Sequence, residues 1–175
     1  MSKKPKIFYS FHYELDVIRA QQVRNIGSVE ENKPVSPTEW EEVKRRGDNS
    51  VKNWIDKNLA NADCLIVLIG QQTWTRPWVR YEIEKAWSLK KAMQGIYIHN
   101  LKDFQGRVTN KGENPFSTIF FNTGYGNPQK KISDCLLQPF DPSPFNAYQD
   151  IANKLDKLIS NAIHHRRILN ASLRF

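Results

Sequence analysis

Blocks of hydrophobic and polar residues alternate along the chain and predict strands and helices in turn. Asp63–Gly70 is a continuous apolar run closed by glycine, the pattern of a strand buried on both faces of a parallel sheet. Lys6–Phe11 is short and aromatic-rich, and Gly95–Asn100 is apolar, so both also predict strands. Residues 29–43 are rich in Pro and Glu without clean alternation, so a further sheet strand expected before the central one stays unplaced.

Helical periodicity separates the predicted strands. One helix is expected to begin near Asp48 or Asn49, and a second to cover Pro77–Met93. The first is marked by apolar residues and one amide at helical spacing, namely Val51, Trp54, Ile55, Asn58 and Leu59. Strand, helix and strand joined by short loops are typical of a parallel crossover unit.

The second half of the chain begins with loop-forming residues and ends in a helix. Glycine and proline are frequent between Asn100 and residue 128, which predicts a long loop, and Ile132–Phe140 is compatible with an edge strand. Ser143 and Pro144 predict the cap and first turn of a terminal helix. Its apolar stripe is Tyr148, Ile151, Leu155, Leu158, Ile159 and Ala162. We therefore expect a three-layer α/β domain with a mostly parallel sheet.

Composition supports one folded domain over residues 1–175. The chain has 175 residues, 39% hydrophobic and 25% charged, which excludes a disordered tail or a fibrous repeat. No apolar run approaches the length of a membrane span, and the N-terminus does not read as a signal peptide, so we expect a cytoplasmic protein without a membrane partner. Cys64 and Cys135 match neither a disulfide framework nor a zinc site and are expected to be buried free thiols.

The charge balance is basic, with 26 Lys and Arg against 18 Asp and Glu, or +8. Such an excess attracts anions, among them nucleic acids and dinucleotides. The basic residues come in short groups with acids between them, and no groove-reading helix or finger motif accompanies them. A solvated basic surface is the simpler interpretation, and nucleic-acid binding remains an alternative.

Several enzyme classes lack their signatures in this chain. A dinucleotide-binding dehydrogenase needs glycines after its first strand, where this sequence has Ser10–Tyr13. A phosphoreceiver needs an aspartate at the end of its central strand, which here ends in Leu68–Gly70. There is no phosphate-binding loop or nucleophile elbow, and the four histidines are not at metal-ligand spacing, so no metal site is expected.

One carboxylate falls on the apolar face of the helix that follows the central strand. On a helical wheel Glu82 lies within the apolar arc, whereas Glu84 faces solvent. That arc comprises Val79, Ile83, Ala86, Trp87, Leu89 and Met93. Glu82 would sit at the carboxyl ends of the strands, where ligands bind in such sheets, and we expect an ionised but poorly solvated anion. An ion pair of Glu82 with Arg80 or Lys85 is the competing interpretation.

Aromatic residues surround the same end of the predicted sheet. They are Phe11 and Tyr13 after the first strand, Trp74 and Trp78 after the central strand, and Tyr81 beside Glu82. Flat rings stack on nucleobases, although each ring is equally ordinary core material. The position of Trp40 is not fixed by the pattern.

Four blocks in order resemble the TIR-like proteins of bacterial Thoeris anti-phage defence, of the ThsB type. The blocks are Phe8–Tyr13, Leu68–Thr73, Trp78–Ile83 and Gly112–Phe116, and the resemblance covers residues 7 to about 120. It implies a flavodoxin-like TIR fold and cleavage of the nicotinamide glycosidic bond of NAD. The product would be a cyclic ADP-ribose isomer or a related messenger that activates a separate effector protein. The family's catalytic glutamate corresponds to Glu82.

The resemblance also implies where substrate binds. We expect the substrate-binding residues to be Ser10, Phe11, His12, Tyr13, Gly70, Gln71, Trp74, Trp78, Tyr81, Asn100 and Asn114. The two asparagines are equally typical of turns, and the bulky Trp74 departs from the family pattern. NAD is expected as substrate, with no separate cofactor, and a homo-oligomer is possible. A non-catalytic TIR-like interaction module is the alternative from a different functional class.

Overall fold

A parallel sheet of three strands forms the centre of the protein. The computed structural model describes residues 4–26, 37–123 and 129–172. The strands are β1 (Ile7–Ser10), β2 (Cys64–Ile69) and β3 (Ala92–Tyr97), and β2 lies between the other two with parallel pairing on both sides. The expected α/β architecture with a mostly parallel sheet is therefore confirmed.

Five helices of the described residues surround this sheet: α1 (Tyr13–Arg24), α2 (Pro37–Arg45), α3 (Asp48–Asn61), α4 (Pro77–Ser88) and α5 (Ala147–Ser172). Residues of α1 and α5 pack on one face of the sheet, and residues of α3 and α4 pack on the other. This arrangement gives the three predicted layers. The uncertain segment 29–43 lies partly outside the described residues, and its described end belongs to α2.

The boundary between α4 and β3 differs from the prediction. The helix stops at Ser88 instead of Met93, and the strand begins at Ala92, three residues before Gly95. Lys90 adopts a left-handed conformation with φ of 56°, and the backbone N–H of Lys91 donates to the Ala86 carbonyl, which closes the helix. A residue with this conformation at the end of a helix is usually glycine. Because a lysine occupies the position here, nothing in the sequence predicts that α4 ends at this point.

The predicted edge strand Ile132–Phe140 is wrong in most of its length. Phe120–Phe121 (β4) and Lys130–Lys131 (β5) form a short antiparallel pair, and a 3-10 turn follows at Ile132–Asp134. Phe140 alone of the predicted strand forms a parallel bridge, to Ile96 of β3. Residues 135–139, between this turn and Phe140, form no regular helix or strand.

The terminal helix begins later than the cap residues predict, at Ala147, and runs to Ser172. Ser143 lies in the turn before α5, where its Oγ accepts from the Phe145 N–H at 3.4 Å. Tyr148 is 45% exposed and does not belong to the buried stripe. Ile151, Leu155, Ile159 and Ala162 are buried as predicted. In the part of the chain that the structure describes, no helix is long and apolar enough to cross a membrane.

Candidate active site

Glu82 and Ser10 meet at the carboxyl end of β1. Glu82 lies on the inner face of α4, is 6% exposed, and accepts a hydrogen bond from the Ser10 hydroxyl through Oε2. The turn that leads from β2 into α4 is fixed by Thr73, whose Oγ1 accepts from the Gly70 N–H at 2.8 Å and donates to the Leu68 carbonyl. This turn sets the start of α4, and α4 places the Glu82 carboxyl group at the end of β1.

Burial dominates the electrostatics of Glu82. It raises the pKa of this carboxyl group to about 8, although the hydrogen bond from Ser10 acts in the opposite direction. In the ligand-free protein at pH 7 the neutral form is therefore favoured. The expected ionised carboxylate is wrong for this state, because burial outweighs the hydrogen bond.

The competing ion pair at Glu82 is not formed. Arg80 pairs with Glu84, with Nε to Oε1 at 2.9 Å, and Lys85 pairs with Asp56, with Nζ to Oδ2 at 3.0 Å. Among the residues that the structure describes, Glu82 has no salt bridge. Glu84 is exposed, as the helical wheel predicts. The two acids one residue apart thus have opposite environments.

A chain of aromatic contacts begins beside Ser10. Ring centroids are 6.0 Å apart for Phe11 and Tyr13, and 6.4 Å apart for Tyr13 and Trp40. Trp40 also lies 5.7 Å from Trp54, which in turn lies 5.7 Å from Phe8 of β1. Trp40 therefore joins the candidate site through α2. Sequence reasoning missed it because nothing in its local pattern reveals which element α2 packs against.

The aromatic residues of α4 have different roles. Tyr81 donates from its hydroxyl to Asp56 Oδ1 at 2.8 Å, a bond that ties α4 to α3. Trp78 packs edge-on against Tyr81 at 6.1 Å and is only partly buried. Trp74, in the turn before α4, is 40% exposed. Trp78 and Trp74 are available to a ligand, whereas Tyr81 has its hydroxyl engaged in helix packing.

The end of β2 is crowded by helix α1 and by the loop that contains Gly112. A Cβ on Gly70 would collide with the Asp16 carboxylate, and a Cβ on Gly112 would collide with the Gly70 carbonyl. Gly112 of the fourth family-like block thus packs directly over the end of the central strand. Gln71 is exposed and lines a cavity on the α1 side of the sheet, together with Asp16.

His12 and the two asparagines complete the predicted set. His12 caps α1 and is 3% exposed, and burial together with the nearby Arg76 lowers its pKa, so its neutral form is favoured at pH 7. Asn100 donates from Nδ2 to the Pro142 carbonyl at 3.5 Å. Asn114 accepts from the Phe116 N–H at 3.0 Å and caps a 3-10 turn. Both asparagines are engaged with backbone.

The structure therefore divides the predicted residues into two groups. Ser10 and Glu82 are in direct contact, and Phe11 and Tyr13 belong to the aromatic chain that starts next to them. Tyr81, Asn100 and Asn114 have their polar groups in structural hydrogen bonds. Within residues 4–26, 37–123 and 129–172, no group of three or more His, Cys, Asp or Glu side chains is placed to hold a metal ion.

A buried carboxyl group with one hydroxyl partner suits the stabilisation of positive charge. When a cationic group enters such a site, the attraction favours the ionised carboxylate in surroundings of low polarity. Flat aromatic surfaces beside it suit a heteroaromatic ring. A ligand that carries a cationic heteroaromatic ring would be complementary to both kinds of group.

Comparison with known proteins identifies the family of this chain. Residues 8–103 match the family model of the TIR-like domain of the Thoeris protein ThsB. A curated relative from Bacillus cereus (strain MSX-D12), named "Putative cyclic ADP-D-ribose synthase ThsB1", is 34% identical over 153 residues, which span 84% of this chain and 77% of the relative. The matched region contains β2, α4, β3 and all of β1 except Ile7, and so it includes both Ser10 and Glu82. The chain belongs to the ThsB family of TIR-like Thoeris proteins.

Proposed function

We propose that this protein cleaves the nicotinamide glycosidic bond of NAD and converts the ADP-ribose portion into a cyclic ADP-ribose isomer or a related messenger. The buried Glu82 carboxyl group, held by Ser10 at the carboxyl edge of the sheet, is the observation that carries the proposal. The name of the Bacillus cereus relative supports the same reaction.

Cleavage of this bond needs one carboxylate rather than two. Glycosidases normally use a second acid to protonate the leaving group, because the bond breaks through an oxocarbenium-like state. Nicotinamide departs as a neutral molecule from a pyridinium, so no proton has to be supplied. The ionised Glu82 would stabilise the positive charge that develops on the ribose carbon and would orient the ribose hydroxyls.

The raised pKa of Glu82 fits a cationic substrate. The carboxyl group is largely neutral in the free protein, since burial raises its pKa to about 8. The pyridinium of NAD would favour the ionised form once bound, so the charge would appear where the ribosyl cation forms. Release of nicotinamide would then leave the carboxylate facing that cation.

Capture of the ribosyl cation by an internal hydroxyl requires that water be kept out. The aromatic chain from Phe11 through Tyr13 to Trp40 is one wall for the bound nucleotide, with Trp78 and Trp74 on the α4 side. His12, neutral and buried, and the backbone around Gly70 and Gln71 complete the proposed binding surface.

The messenger would act on a separate effector protein in anti-phage defence. We take residues 1–175 as one TIR-like domain, with NAD as substrate, no additional cofactor and the cytoplasm as the location. Neither nucleic acid nor membrane is a proposed partner.

Incubation with NAD tests the proposal. Nicotinamide release is followed by chromatography, and the nucleotide product is identified by mass spectrometry, for wild type, Glu82→Gln and the matched control Glu84→Gln. We expect Glu82→Gln to lower the rate by about 10²–10³, as losses of electrostatic stabilisation do, and Glu84→Gln to retain it.

Retained turnover in Glu82→Gln would remove this residue from the mechanism. Absence of turnover in wild type, tested both purified and in phage-infected cells, would favour a non-catalytic interaction module instead.

A further inference from the structure

The segments that follow β1 and β2 border one crevice at the carboxyl edge of the sheet. The two strands are parallel neighbours, yet the helices after them pack on opposite faces, α1 on one and α4 on the other. In parallel α/β sheets a crevice opens where the helices of neighbouring strands diverge in this way, and ligands bind there. The N-termini of α1 and α4 therefore lie on the two sides of a position suited to a ligand.

Neither of these helices has a side-chain cap at its N-terminus. His12 is the N-cap residue of α1 and Arg76 is that of α4, and neither side chain forms a capping hydrogen bond. A Ser, Thr, Asp or Asn at this position would accept a hydrogen bond from an N–H group of the first turn. The first-turn N–H groups of both helices are thus left for an acceptor from outside the helix, such as an anion.

The charge of Arg76 has the unfavourable sign for its position. The N-terminus of a helix is the positive end of its dipole, and the first turn of α4 contains no acid to offset the arginine. Among the residues that the structure describes, the Arg76 guanidinium forms no salt bridge and no hydrogen bond. Arg80, one turn later, is paired with Glu84. A bound anion would make the charge of Arg76 favourable.

His12 is a second polar group at this place without a partner. Its side chain is 3% exposed, and in the part of the chain that the structure describes its Nδ1 has no hydrogen-bond partner. Burial lowers the pKa of His12, Arg76 lowers it further, and the exposed Glu14 of α1 opposes them with a smaller effect. The cation therefore outweighs the acid at the start of α1. Buried polar groups without partners are rare, so this one also indicates a missing ligand.

The position of Arg76 relative to Glu82 matches the order of groups in NAD. Glu82 follows Arg76 by six residues, or roughly 9 Å along the axis of α4. In NAD, the diphosphate is joined through a single ribose to the carbon that loses nicotinamide. With that carbon at Glu82, the diphosphate would extend toward the first turn of α4.

We propose that Arg76, together with the N-termini of α1 and α4, binds the diphosphate of NAD and makes the protein select the dinucleotide over nicotinamide riboside. This inference rests on NAD as the substrate, as proposed above. An arginine donates two parallel hydrogen bonds to phosphate oxygens, and the N–H groups of helix N-termini add further donors. The overall charge of +8 would also attract an anionic substrate.

Cleavage kinetics with NAD, nicotinamide mononucleotide and nicotinamide riboside test the proposal. We expect Arg76→Gln to raise KM for NAD by about 10–100-fold, as the loss of a hydrogen bond to a charged group does, with little change in kcat. The effect should be smaller for the mononucleotide and absent for the riboside, which has no phosphate. Arg76→Lys keeps the charge but not the paired donors, so it should recover part of the loss.

Arg80→Gln is the matched control, because Arg80 lies on the same helix and its charge is already paired with Glu84. It should retain the KM of wild type for all three substrates. The melting temperature of Arg76→Gln should not fall below that of wild type, since this change removes a cation from a helix N-terminus.

Binding of ADP-ribose separates this inference from the proposed reaction. ADP-ribose keeps the diphosphate and has no bond to nicotinamide, so its binding does not depend on turnover. Isothermal titration calorimetry should give a dissociation constant about 10–100-fold higher for Arg76→Gln than for wild type, and an unchanged one for Arg80→Gln.

Equal binding of ADP-ribose by wild type and Arg76→Gln, or an equal loss in Arg80→Gln, would overturn the inference and leave NAD cleavage as proposed. An equal loss of cleavage for NAD and the riboside in Arg76→Gln would also reject it, because the residue would then act only on the fold. If wild type binds ADP-ribose through Arg76 but releases no nicotinamide, the diphosphate site stands and the proposed reaction falls.

Discussion

Ser10 and Glu82 are 72 positions apart in the sequence and share a buried hydrogen bond. Ser10 ends β1, and Glu82 projects from the inner face of α4, so the contact joins the first strand to the helix that follows the central strand. The hydroxyl acts against burial by favouring the charged carboxylate. The first two predictions depend on these two opposing effects on the pKa of Glu82.

The pH dependence of NAD cleavage should follow the titration of Glu82. The ionised form is the active one, and burial raises the pKa of the free carboxyl group to about 8. We expect kcat/KM to rise with pH and to level off above pH 8, and kcat to level off at lower pH, because the bound pyridinium favours ionisation. Initial rates across the pH range test this. A kcat/KM that is flat from pH 6 to 9 would contradict it.

Ser10→Ala should move the same profile to higher pH. Loss of the donor removes a bond that lowers the pKa of Glu82. A hydrogen bond to a charged group contributes about 1.5–3 kcal/mol, so kcat/KM at pH 7 should fall by about 10–100-fold. The loss should shrink at high pH, where the carboxylate is ionised in both proteins. An equal loss at every pH would instead indicate that Ser10 acts on the substrate directly.

Glu82→Gln should alter the pH dependence of stability. An unfolded glutamate releases its proton near 4.5, whereas the buried one holds it up to about 8, so the native wild type loses stability as pH rises between these values. The amide has no such titration. We expect the melting temperature of the variant to exceed that of wild type at pH 8.5 and the difference to be smaller at pH 5. Differential scanning calorimetry at both pH values measures it, with Glu84→Gln as control.

Trp40→Ala should weaken substrate binding more than it slows the chemical step. Trp40 lies 6.4 Å from Tyr13 and 5.7 Å from Trp54, which extends the aromatic surface away from Ser10. Stacking of a base on an aromatic ring is worth about 1–3 kcal/mol, so KM should rise by about 5–150-fold. Trp40→Phe keeps a ring and should recover most of the loss. An unchanged KM would show that Trp40 only packs against α3.

Gly112→Ala should destabilise the protein, since a Cβ at this position would collide with the Gly70 carbonyl. Overpacking against backbone costs about 1–3 kcal/mol, and here it would also displace the end of β2. The neighbouring Glu113 is exposed, so Glu113→Ala is the matched control. Urea denaturation measures both, and equal stability of Gly112→Ala and wild type would contradict the prediction.

Local pattern was sufficient for the main elements. The six apolar residues of β2 and the apolar stripe of α3 are buried in the structure. An element with a buried face has a recognisable pattern of apolar residues in its sequence, which is why both were predicted. The wheel also placed Glu82 inside and Glu84 outside. The end of α4 was predicted wrongly because Lys90 occupies a left-handed position that glycine normally marks. The edge strand predicted over Ile132–Phe140 is wrong except for the single bridge at Phe140, which is too short to give a period in the sequence.

Periodicity and residue type by themselves determined the α/β class, the helix that carries Glu82 and the face on which it lies. Only the tertiary structure decided that Ser10 is its partner, that Trp40 extends the aromatic surface, and that Tyr81, Asn100 and Asn114 are engaged elsewhere. The reason is physical: the buried face of a helix or strand produces a periodic pattern of apolar residues within that element's own sequence. The identity of what covers it, and the pKa that results, depend on residues brought from distant parts of the chain.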